Sequence, residues 1–579
     1  MQYRQEHPRT QMRRENWLNL NGQWQFEIDN GDSGHARGLV NSELSGSINV
    51  PFCPESKLSG VEHRDFMSAV WYRRTFTLPE SWRGKRVVLH FGAVDYLCEV
   101  YVNGKQAGGH RGGYSSFEME ITDLINEGEN VLVVYARDDR RSGKQPSGKQ
   151  SDKYESYGCY YTRTTGIWQT VWLECLPEVA LRDVQYEADV DNGCVYVSAR
   201  IDGDTEGVSM RVETSYEGRA TGSATVCAGA FIRARVELNL VKLWELGKGR
   251  LYDTHITLMR GVEPIDEVDG YFGMRKLELK QDGMYLNGKP VFMRLVLDQG
   301  FYPDGVYTAP GDSDLLGDIQ LSMDMGFNGA RLHEKVFEPR FLYWADRMGY
   351  MVWGEFPNWG VDTSDPSILA AYQDEWLEAV RRDMSHPSIV GWCPFNETWD
   401  YNGRRQCDDT LRSVYLATKA VDPTRPVIDT SGNFHVITDI YDVHDYEQNA
   451  EVFASHYAAC AEGGEIFDNF AKRQHYQGQP YFISEYGGIW APGDGVWQRE
   501  DGKSWGYGNR PTSEAEFLKR YAALTETLLS NRKVCGFCYT QLYDVEQEQN
   551  GLYTYERKPK FDPALIHAIN SKRAAMERE

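Results

Sequence analysis

The stretch IVGWCPFNETWD, residues 389–400, is an apolar run that ends in polar side chains. Such a run is typical of a buried strand, and its last residues include Asn396 and Glu397. A carboxylate at the end of a buried strand is costly to desolvate unless it is paired or used. Glu397 is therefore expected either to form a structural salt bridge or to take part in chemistry.

Similar apolar runs alternate with amphipathic segments through the C-terminal half of the chain. The predicted helices lie near residues 314–326, 339–349, 369–385, 405–421, 451–473, 513–532 and 562–577. The predicted strands are VFMRLVLD, NGARLH, YMVWGEF, IVGWCPFNE, PVIDTS, IYDVHDY, YFISEYGG and VCGFCYTQ. This alternation predicts a (β/α)8 TIM barrel over residues 277–579, although the helix pattern after PVIDTS is poor.

The N-terminal half has the pattern of two antiparallel β-sandwiches. Residues 1–177 contain short strands of period two separated by Asn-Gly turns, which predict a jelly-roll β-sandwich. Residues 178–276 repeat this pattern over a length typical of an immunoglobulin-like β-sandwich. The predicted fold is therefore multidomain, with the TIM barrel last.

Composition limits the partners of the chain. Its 579 residues carry a formal net charge of −23 and a pI near 5.1, which disfavours nucleic acid. No window approaches the roughly 18 apolar residues that a membrane span needs, so no membrane partner is expected. An aromatic content of 13% suits either a sugar-binding surface or large β-rich cores. The expected partner is a small or neutral molecule.

Cellular location is predicted from the N-terminus and the cysteines. The N-terminus has charges but no apolar h-region, and the eleven cysteines are an odd number, which fits reduced thiols. We therefore expect a cytoplasmic location, unless a signal segment has been removed. The oligomeric state is left open, and a homo-oligomer is compatible with the sequence.

A second carboxylate ends the seventh predicted barrel strand. Active sites of TIM barrels lie at the C-terminal ends of the strands. Glu485 ends YFISEYGG about three βα units after Glu397, so the two carboxylates would face each other across the barrel mouth. Either one alone could be an ion-paired residue, but together they provide the pair that cleavage of a glycosidic bond requires.

These motifs resemble those of a known enzyme family. FNE at 395–397 and SEYG at 484–487 resemble the acid/base and nucleophile signatures of glycoside hydrolase family 2, which contains β-galactosidases, β-glucuronidases and β-mannosidases. LNGQWQF at 20–26, VNGKQAG at 102–108 and GIWQTVWLE at 166–174 are similar to the sugar-binding domain of that family. The resemblance covers nearly the whole chain and implies an exo-acting, retaining β-glycosidase.

The resemblance also implies roles for individual residues. Glu485 would be the nucleophile, and Glu397 the general acid and then base, with a pKa raised by its negative partner. Asn396 would hold the sugar 2-hydroxyl, and Tyr446 would donate a hydrogen bond to the nucleophile. Arg331 matches the family arginine on strand two, where a salt bridge to a catalytic carboxylate is also expected.

Other candidate substrate-binding residues depart from the family pattern. His333 follows Arg331 in place of the usual RxSHYP motif, so this histidine has moved or changed role. His444 precedes the family tyrosine in DVHDY. Asp298 stands, with Gln299, where a His-Glu pair is usual after strand one. Tyr539 stands on strand eight, where a Trp commonly forms the sugar platform.

The last loop of the barrel bears on the choice of sugar. β-Glucuronidases carry Asn-x-Lys there to pair with the uronate, whereas this chain has Glu548, Gln549 and Asn550, and a Glu would repel a carboxylate. A β-galactoside is therefore the favoured substrate among small-molecule and oligosaccharide glycosides. The alternatives are a β-glucuronidase, another family 2 β-glycosidase, or a catalytically silent carbohydrate-binding protein.

No metal or other cofactor is expected. Large β-galactosidases of the family bind magnesium through a glutamate and a histidine after strand three. Trp359 and Val361 stand in that segment here.

Overall fold

The computed structural model describes residues 3–401, 403–497 and 502–577. The predicted combination of a jelly-roll sandwich, an immunoglobulin-like sandwich and a TIM barrel is confirmed. Within these residues, no helix is long and apolar enough to cross a membrane.

The N-terminal sandwich packs a four-stranded sheet against a six-stranded sheet. Its helix α1 is Gly34–Arg37, and its strands are β1 Trp17–Asn19, β2 Gly22–Ile28, β3 Gly46–Val50, β4 Ala69–Thr77, β5 Arg86–Phe91, β6 Val94–Asp95, β7 Leu97–Val102, β8 Lys105–Arg111, β9 Phe117–Glu120, β10 Glu129–Arg137, β11 Gly166–Ile167 and β12 Val171–Leu176. The sheet orders are β1-β12-β5-β9 and β3-β2-β4-β10-β7-β8. The β7–β8 hairpin turns at Asn103 and Gly104, both with positive φ, as a tight two-residue turn requires.

The second sandwich has a three-stranded and a four-stranded antiparallel sheet. Its strands are β13 Ala180–Asp189, β14 Cys194–Asp202, β15 Val208–Tyr216, β16 Arg219–Cys227, β17 Phe231–Glu237, β18 Tyr252–Arg260 and β19 Glu263–Phe272. Exposed and buried residues alternate along β17, so one face of that strand covers the core while the other meets solvent.

The barrel follows a small antiparallel sheet of β20 Leu277–Lys280, β21 Gly283–Leu286 and β22 Lys289–Val291. Its parallel strands are β23 Met293–Asp298, β24 Gly329–Leu332, β25 Met351–Glu355, β26 Ile389–Cys393, β27 Tyr441–Asp445, β28 Tyr481–Gly487 and β29 Val534–Thr540. They pair in the order β26-β25-β24-β23-β29-β28-β27. All residues of these strands except Gly354 are buried, because the sheet is covered on both faces.

The fifth predicted strand, PVIDTS, closes the barrel without forming a regular strand. Val427 and Ser431 form parallel bridges to Trp392 and Asn396 at the end of β26. On the other side, the Val427 carbonyl accepts a hydrogen bond of 3.0 Å from the Asp439 backbone. Residues 432–440 are all described and contain no helix, in keeping with the poor pattern there.

The outer helices are α2 Asp312–Asp324, α3 Pro339–Met348, α4 Leu369–Asp383, α5 Asp408–Val421, α6 Ala450–Ala461, α7 Glu514–Ser530 and α8 Pro563–Asn570. Two of them end well before the predicted residue. The prediction of a helix over 451–473 is wrong beyond Ala461, because Gly463, with φ of 86°, follows in the left-handed conformation that ends helices. The last helix ends at Asn570 rather than near residue 577.

The N-terminal sandwich docks onto the barrel mouth. Tyr161 and Trp168 belong to the same buried hydrophobic cluster as barrel residues. The Trp168 carbonyl accepts a hydrogen bond of 2.5 Å from the Thr308 hydroxyl. The centroid of the Trp168 ring lies 5.2 Å from the centroid of the Tyr307 ring. The sandwich residues on both sides of β11 therefore reach the strand ends where catalytic groups are expected.

Candidate active site

Glu397 and Glu485 lie together at the barrel mouth. Glu397 follows β26, and its backbone has a φ of 46°, which a non-glycine residue adopts at a cost. Its N–H donates to the Ser431 carbonyl over 2.9 Å, so the closing segment fixes this turn. Glu485 lies in β28, and one oxygen of each carboxylate lies within 4.8 Å of the other.

Donors at the ends of two strands, β24 and β27, surround Glu485. The Tyr446 hydroxyl donates to Glu485 Oε2 over 2.5 Å, and Arg331 Nη1 donates to Oε1 over 3.2 Å. Burial alone would raise the pKa of Glu485. The charge of His444 first, and then the contacts with His333 and Arg331, outweigh burial and hold that pKa below its usual value, so the carboxylate is ionised. Burial lowers the pKa of His333 itself.

Arg331 connects this pair to a buried carboxylate beneath it. Its Nε donates to Glu355 Oε1 over 2.5 Å, and its Nη2 donates to Asn396 Oδ1 over 3.2 Å. His333 Nδ1 lies 3.0 Å from Glu355 Oε2 and 4.0 Å from Glu485 Oε1. Asn396 Nδ2 is buried without a hydrogen-bond partner among the described residues, so it is free to donate to a ligand.

Glu355 was not among the predicted site residues. It ends β25, at the edge of the barrel where Glu485 lies near the end of β28 and Glu397 follows β26, so the strand-end criterion applied to YMVWGEF would have found it. Burial alone would raise the pKa of Glu355. The charge of Arg331 and the hydrogen bond of His333 outweigh burial and lower that pKa to about 2, which makes Glu355 the counter-ion of Arg331.

The expectation of a raised pKa for Glu397 is wrong for this structure. Its Oε1 lies 2.7 Å from Nδ1 of His444. Burial alone would raise the pKa, but the hydrogen bond and charge of His444 lower it to about 2. The pKa of His444 is itself raised, because its two carboxylate partners outweigh burial. The two side chains therefore form an ion pair.

Two predicted substrate-binding residues lie outside this group. Tyr539 is fully buried between the sheet and the helices, where its ring centroid lies 4.9 Å from that of Tyr521 in α7. Strand alternation turns it away from the barrel mouth, so the structure contradicts its role as a sugar platform. Asp298 accepts hydrogen bonds from the Tyr543 hydroxyl over 2.5 Å and from the Gly300 backbone over 2.9 Å, which makes it a structural acceptor.

A closed ring of polar side chains lies at the ends of β23 and β29. Gln299 Nε2 donates to the Tyr161 hydroxyl over 2.9 Å and to Gln541 Oε1 over 2.5 Å. Gln541 donates to Asn550, and Asn550 to Glu548, each over 2.9 Å. The Tyr161 hydroxyl completes the ring by donating to Glu548. Burial raises the pKa of Glu548, and the charge of Glu485 acts in the same direction. Thr540, which precedes Gln541, lies 2.9 Å from the Tyr446 hydroxyl that contacts Glu485, so the ring lies near the Glu397–Glu485 pair.

Lys149 brings a cation to the site from the N-terminal sandwich. Its ammonium lies 3.6 Å from the ring centroid of Trp359 and has no hydrogen bond or ion pair among the described residues. Burial alone would lower its pKa. Its acidic neighbours, Cys159 first and then Glu397 and Glu548, outweigh burial and raise the pKa, so the group is charged. No sequence signal indicated this residue, because its position depends on how the two domains dock.

One group of the described residues has donor atoms close enough to hold a metal ion, namely Glu397, His444 and Glu485. The two imidazole nitrogens contact different carboxylates, at 2.7 Å and 3.4 Å. Hydrogen bonding within the group accounts for this arrangement, and we assign no metal to it.

Family models match the chain in three consecutive segments. The sugar binding domain of glycosyl hydrolases family 2 matches residues 18–177, a second model of that family matches residues 179–275, and its TIM barrel domain matches residues 277–565. The chain belongs to glycosyl hydrolases family 2.

Similar proteins carry two different names. A β-galactosidase of Thermoanaerobacter pseudethanolicus is 27% identical over 67% of this chain and 52% of its own length. A β-glucuronidase of Streptococcus agalactiae is 23% identical over 83% of each chain. The match to a putative β-glucuronidase of Formosa agariphila, at 27% identity, covers 61% of this chain and 43% of that protein. The chain thus spans about half the length of some curated relatives.

Solved structures share the fold. The β-glucuronidase of Ruminococcus gnavus superposes with a TM-score of 0.80 over 99% of both chains, at 19% identity. The β-glucuronidase of Bifidobacterium dentium, solved with coumarin-3-O-glucuronide, has a TM-score of 0.79 over 97% of this chain and 98% of its own, at 20% identity.

Proposed function

We propose that this protein is an exo-acting β-glycosidase that works with retention of configuration. One observation carries the proposal: an oxygen of Glu397 and an oxygen of Glu485 lie within 4.8 Å of each other. Retaining enzymes hold their two carboxyl groups about 5–5.5 Å apart, whereas inverting enzymes leave about 6.5–9.5 Å for a water. The separation therefore supports direct attack by one carboxylate.

In this mechanism Glu485 attacks the anomeric carbon while Glu397 gives a proton to the leaving oxygen. Hydrogen bonds from Tyr446 and Arg331 stabilise the ionised form of Glu485 and fix its orientation for attack. The free Nδ2 of Asn396 is available to the sugar 2-hydroxyl, a hydrogen bond that strengthens in the transition state. In the second half of the reaction, Glu397 takes a proton from the water that releases the sugar.

A neutral sugar, with a β-galactoside first, remains our choice of substrate. The support comes from Glu548, which stands in a ring of uncharged hydrogen-bonding groups beside the catalytic pair. Amide and hydroxyl groups of this kind suit the hydroxyls of a neutral hexose, and a carboxylate disfavours a uronate.

A β-glucuronide is the second candidate, and Lys149 favours it. A buried ammonium without an ion pair is costly, and a carboxylate on the substrate would supply its partner. Several relatives and structural neighbours are named β-glucuronidases, which also favours this candidate. Arg163 is a second cation in the same loop, but its guanidinium donates to backbone carbonyls such as that of Ser151, so it is less available to a substrate carboxylate than Lys149.

A panel of nitrophenyl β-galactoside, β-glucoside and β-glucuronide tests the substrate, together with a Lys149→Met variant. If the uronate is the substrate, Lys149→Met should lower kcat/KM on the glucuronide by roughly 10- to 150-fold, the range for a hydrogen bond to a charged group. Lys153→Met is the matched control, since Lys153 stacks on Tyr157 in the same loop but is exposed.

Covalent trapping tests the mechanism and the silent-protein alternative. A 2-fluoro glycoside of the preferred sugar should label Glu485, detectable by peptide mass. Binding of all three sugars without turnover or labelling would instead favour a carbohydrate-binding protein. A cytoplasmic location and a homo-oligomer remain predictions.

A further inference from the structure

One imidazole contacts both catalytic carboxylates. His444 Nδ1 lies 2.7 Å from Glu397 Oε1, and His444 Nε2 lies 3.4 Å from Glu485 Oε1. The side chain of His444 is 7% exposed and that of Glu397 is 24% exposed, so the imidazole itself is largely shielded from solvent. An acid catalyst needs a proton, but Glu397 is paired here as an anion. A neighbouring group must therefore supply the proton.

The packing around His444 fixes the plane of the ring. A Cβ placed on Gly432 would lie 2.5 Å from two ring atoms, so only glycine fits there, and its φ of 86° also favours glycine. The Asn469 side chain donates to the His444 backbone carbonyl over 2.5 Å. The ring therefore cannot swing away from Glu397 without moving its neighbours.

Ser431 determines which nitrogen keeps its hydrogen. Its hydroxyl lies 2.6 Å from Asp442 Oδ2, and a carboxylate oxygen can only accept, so the single hydroxyl hydrogen points to Asp442. Ser431 Oγ also lies 3.1 Å from His444 Nε2, and it must therefore accept there. Nε2 carries a hydrogen in either charge state of the ring. The exchangeable proton is the one between Nδ1 and Glu397.

We propose that His444 is a positioning residue that supplies Glu397 with the proton for the leaving group. The inference rests on the proposed function of Glu397. When substrate enters, the Nδ1 proton moves to Glu397 Oε1, which leaves a neutral imidazole and a carboxylic acid. Glu397 passes that proton to the glycosidic oxygen as the bond to the anomeric carbon breaks and the Glu485–sugar bond forms.

The second half of the reaction returns the proton. Glu397 removes a proton from the water that attacks the anomeric carbon, the bond to Glu485 breaks, and the proton moves back to Nδ1. Each turnover thus leaves His444 as it began, and no further reactant is needed. The charged groups around the ring, namely Glu397, Glu485, Asp442 and Arg331, bear on its protonation and are held in place by hydrogen bonds.

Leaving groups of different acidity separate a proton-supplying role from a structural one. A 2,4-dinitrophenolate leaves without a proton, whereas phenol needs one. With aryl glycosides of the preferred sugar, His444→Asn should lose about 100-fold or more in kcat/KM on the phenyl glycoside and about tenfold or less on the dinitrophenyl glycoside. A His444→Gly variant should regain phenyl glycoside activity when imidazole is added.

Equal losses on both substrates, with no response to imidazole, would overturn the inference and leave His444 a structural residue. The same substrates applied to Glu397→Gln keep this result separate from the proposed function. If Glu397→Gln loses activity equally on both glycosides, the acid/base assignment itself fails. If it shows the leaving-group dependence and His444→Asn does not, only the role of His444 is refuted.

Discussion

Replacing Tyr446 with Phe tests how the attacking carboxylate is held. The Tyr446 hydroxyl donates to Glu485 over 2.5 Å, while its ring is stacked on Tyr507 with centroids 3.6 Å apart. Phe keeps the stacked ring and removes only the hydroxyl, so the fold should be unchanged. A hydrogen bond to a charged group is worth about 1.5–3 kcal/mol, and kcat/KM should therefore fall by roughly 10- to 150-fold.

The assay is kcat/KM across pH on the best nitrophenyl glycoside. Losing a donor to the ionised form raises the pKa of a carboxyl, so the acid limb of the profile should move to higher pH. Tyr507→Phe is the control, because it removes a hydroxyl from the other ring of the stack and should cost less. A loss below about threefold for Tyr446→Phe, with an unmoved acid limb, would refute the reasoning.

Three further variants test other parts of the site. Glu485→Gln should retain the fold but lose more than about 100-fold in kcat, roughly 3 kcal/mol in the barrier, as a rate measurement will show. The pKa of Glu355 is lowered from 4.5 to about 2, so its ionised carboxylate stabilises the fold above pH 4.5. This stabilisation is lost as the pH falls towards 2. The lost contribution to the free energy of unfolding is about 3 kcal/mol. Glu355→Gln should therefore flatten the pH dependence of thermal unfolding between pH 4.5 and 2. Gly432→Ala should displace the ring of His444 and lower kcat, and an unchanged kcat would contradict that contact.

Strand ends are the most informative feature of the sequence. An apolar run that ends in a carboxylate marks the barrel mouth, and this pattern is visible in the sequence at both Glu397 and Glu485. It is equally visible at Glu355, which was not predicted because glycosidic cleavage requires only one pair of carboxylates. The fold was predictable for the same reason, since period two and βα alternation follow directly from which faces are buried.

Contacts between distant segments were not predictable. Lys149 reaches the site only because the sandwich docks on the barrel, and loop sequence carries no sign of that geometry. The lowered pKa of Glu397 arises from a contact with His444. The prediction of a raised pKa considered only the repulsion between the two carboxylates and so did not include this contact. The fifth barrel segment was predicted as a strand, but it forms isolated parallel bridges instead, from Val427 to Trp392 of β26 and from Ser431 to Asn396.

The loop of the N-terminal sandwich that carries Lys149 and Tyr161 has an evolutionary consequence. Substrate preference in this architecture is open to selection on a domain that contains no catalytic group. Insertions or replacements in that loop can change what the site accepts while both carboxylates and their barrel stay untouched. Conversely, a barrel produced alone would leave Glu548 without its Tyr161 donor. Recombination between relatives should therefore exchange the sandwich and the last barrel loop together to preserve a working specificity.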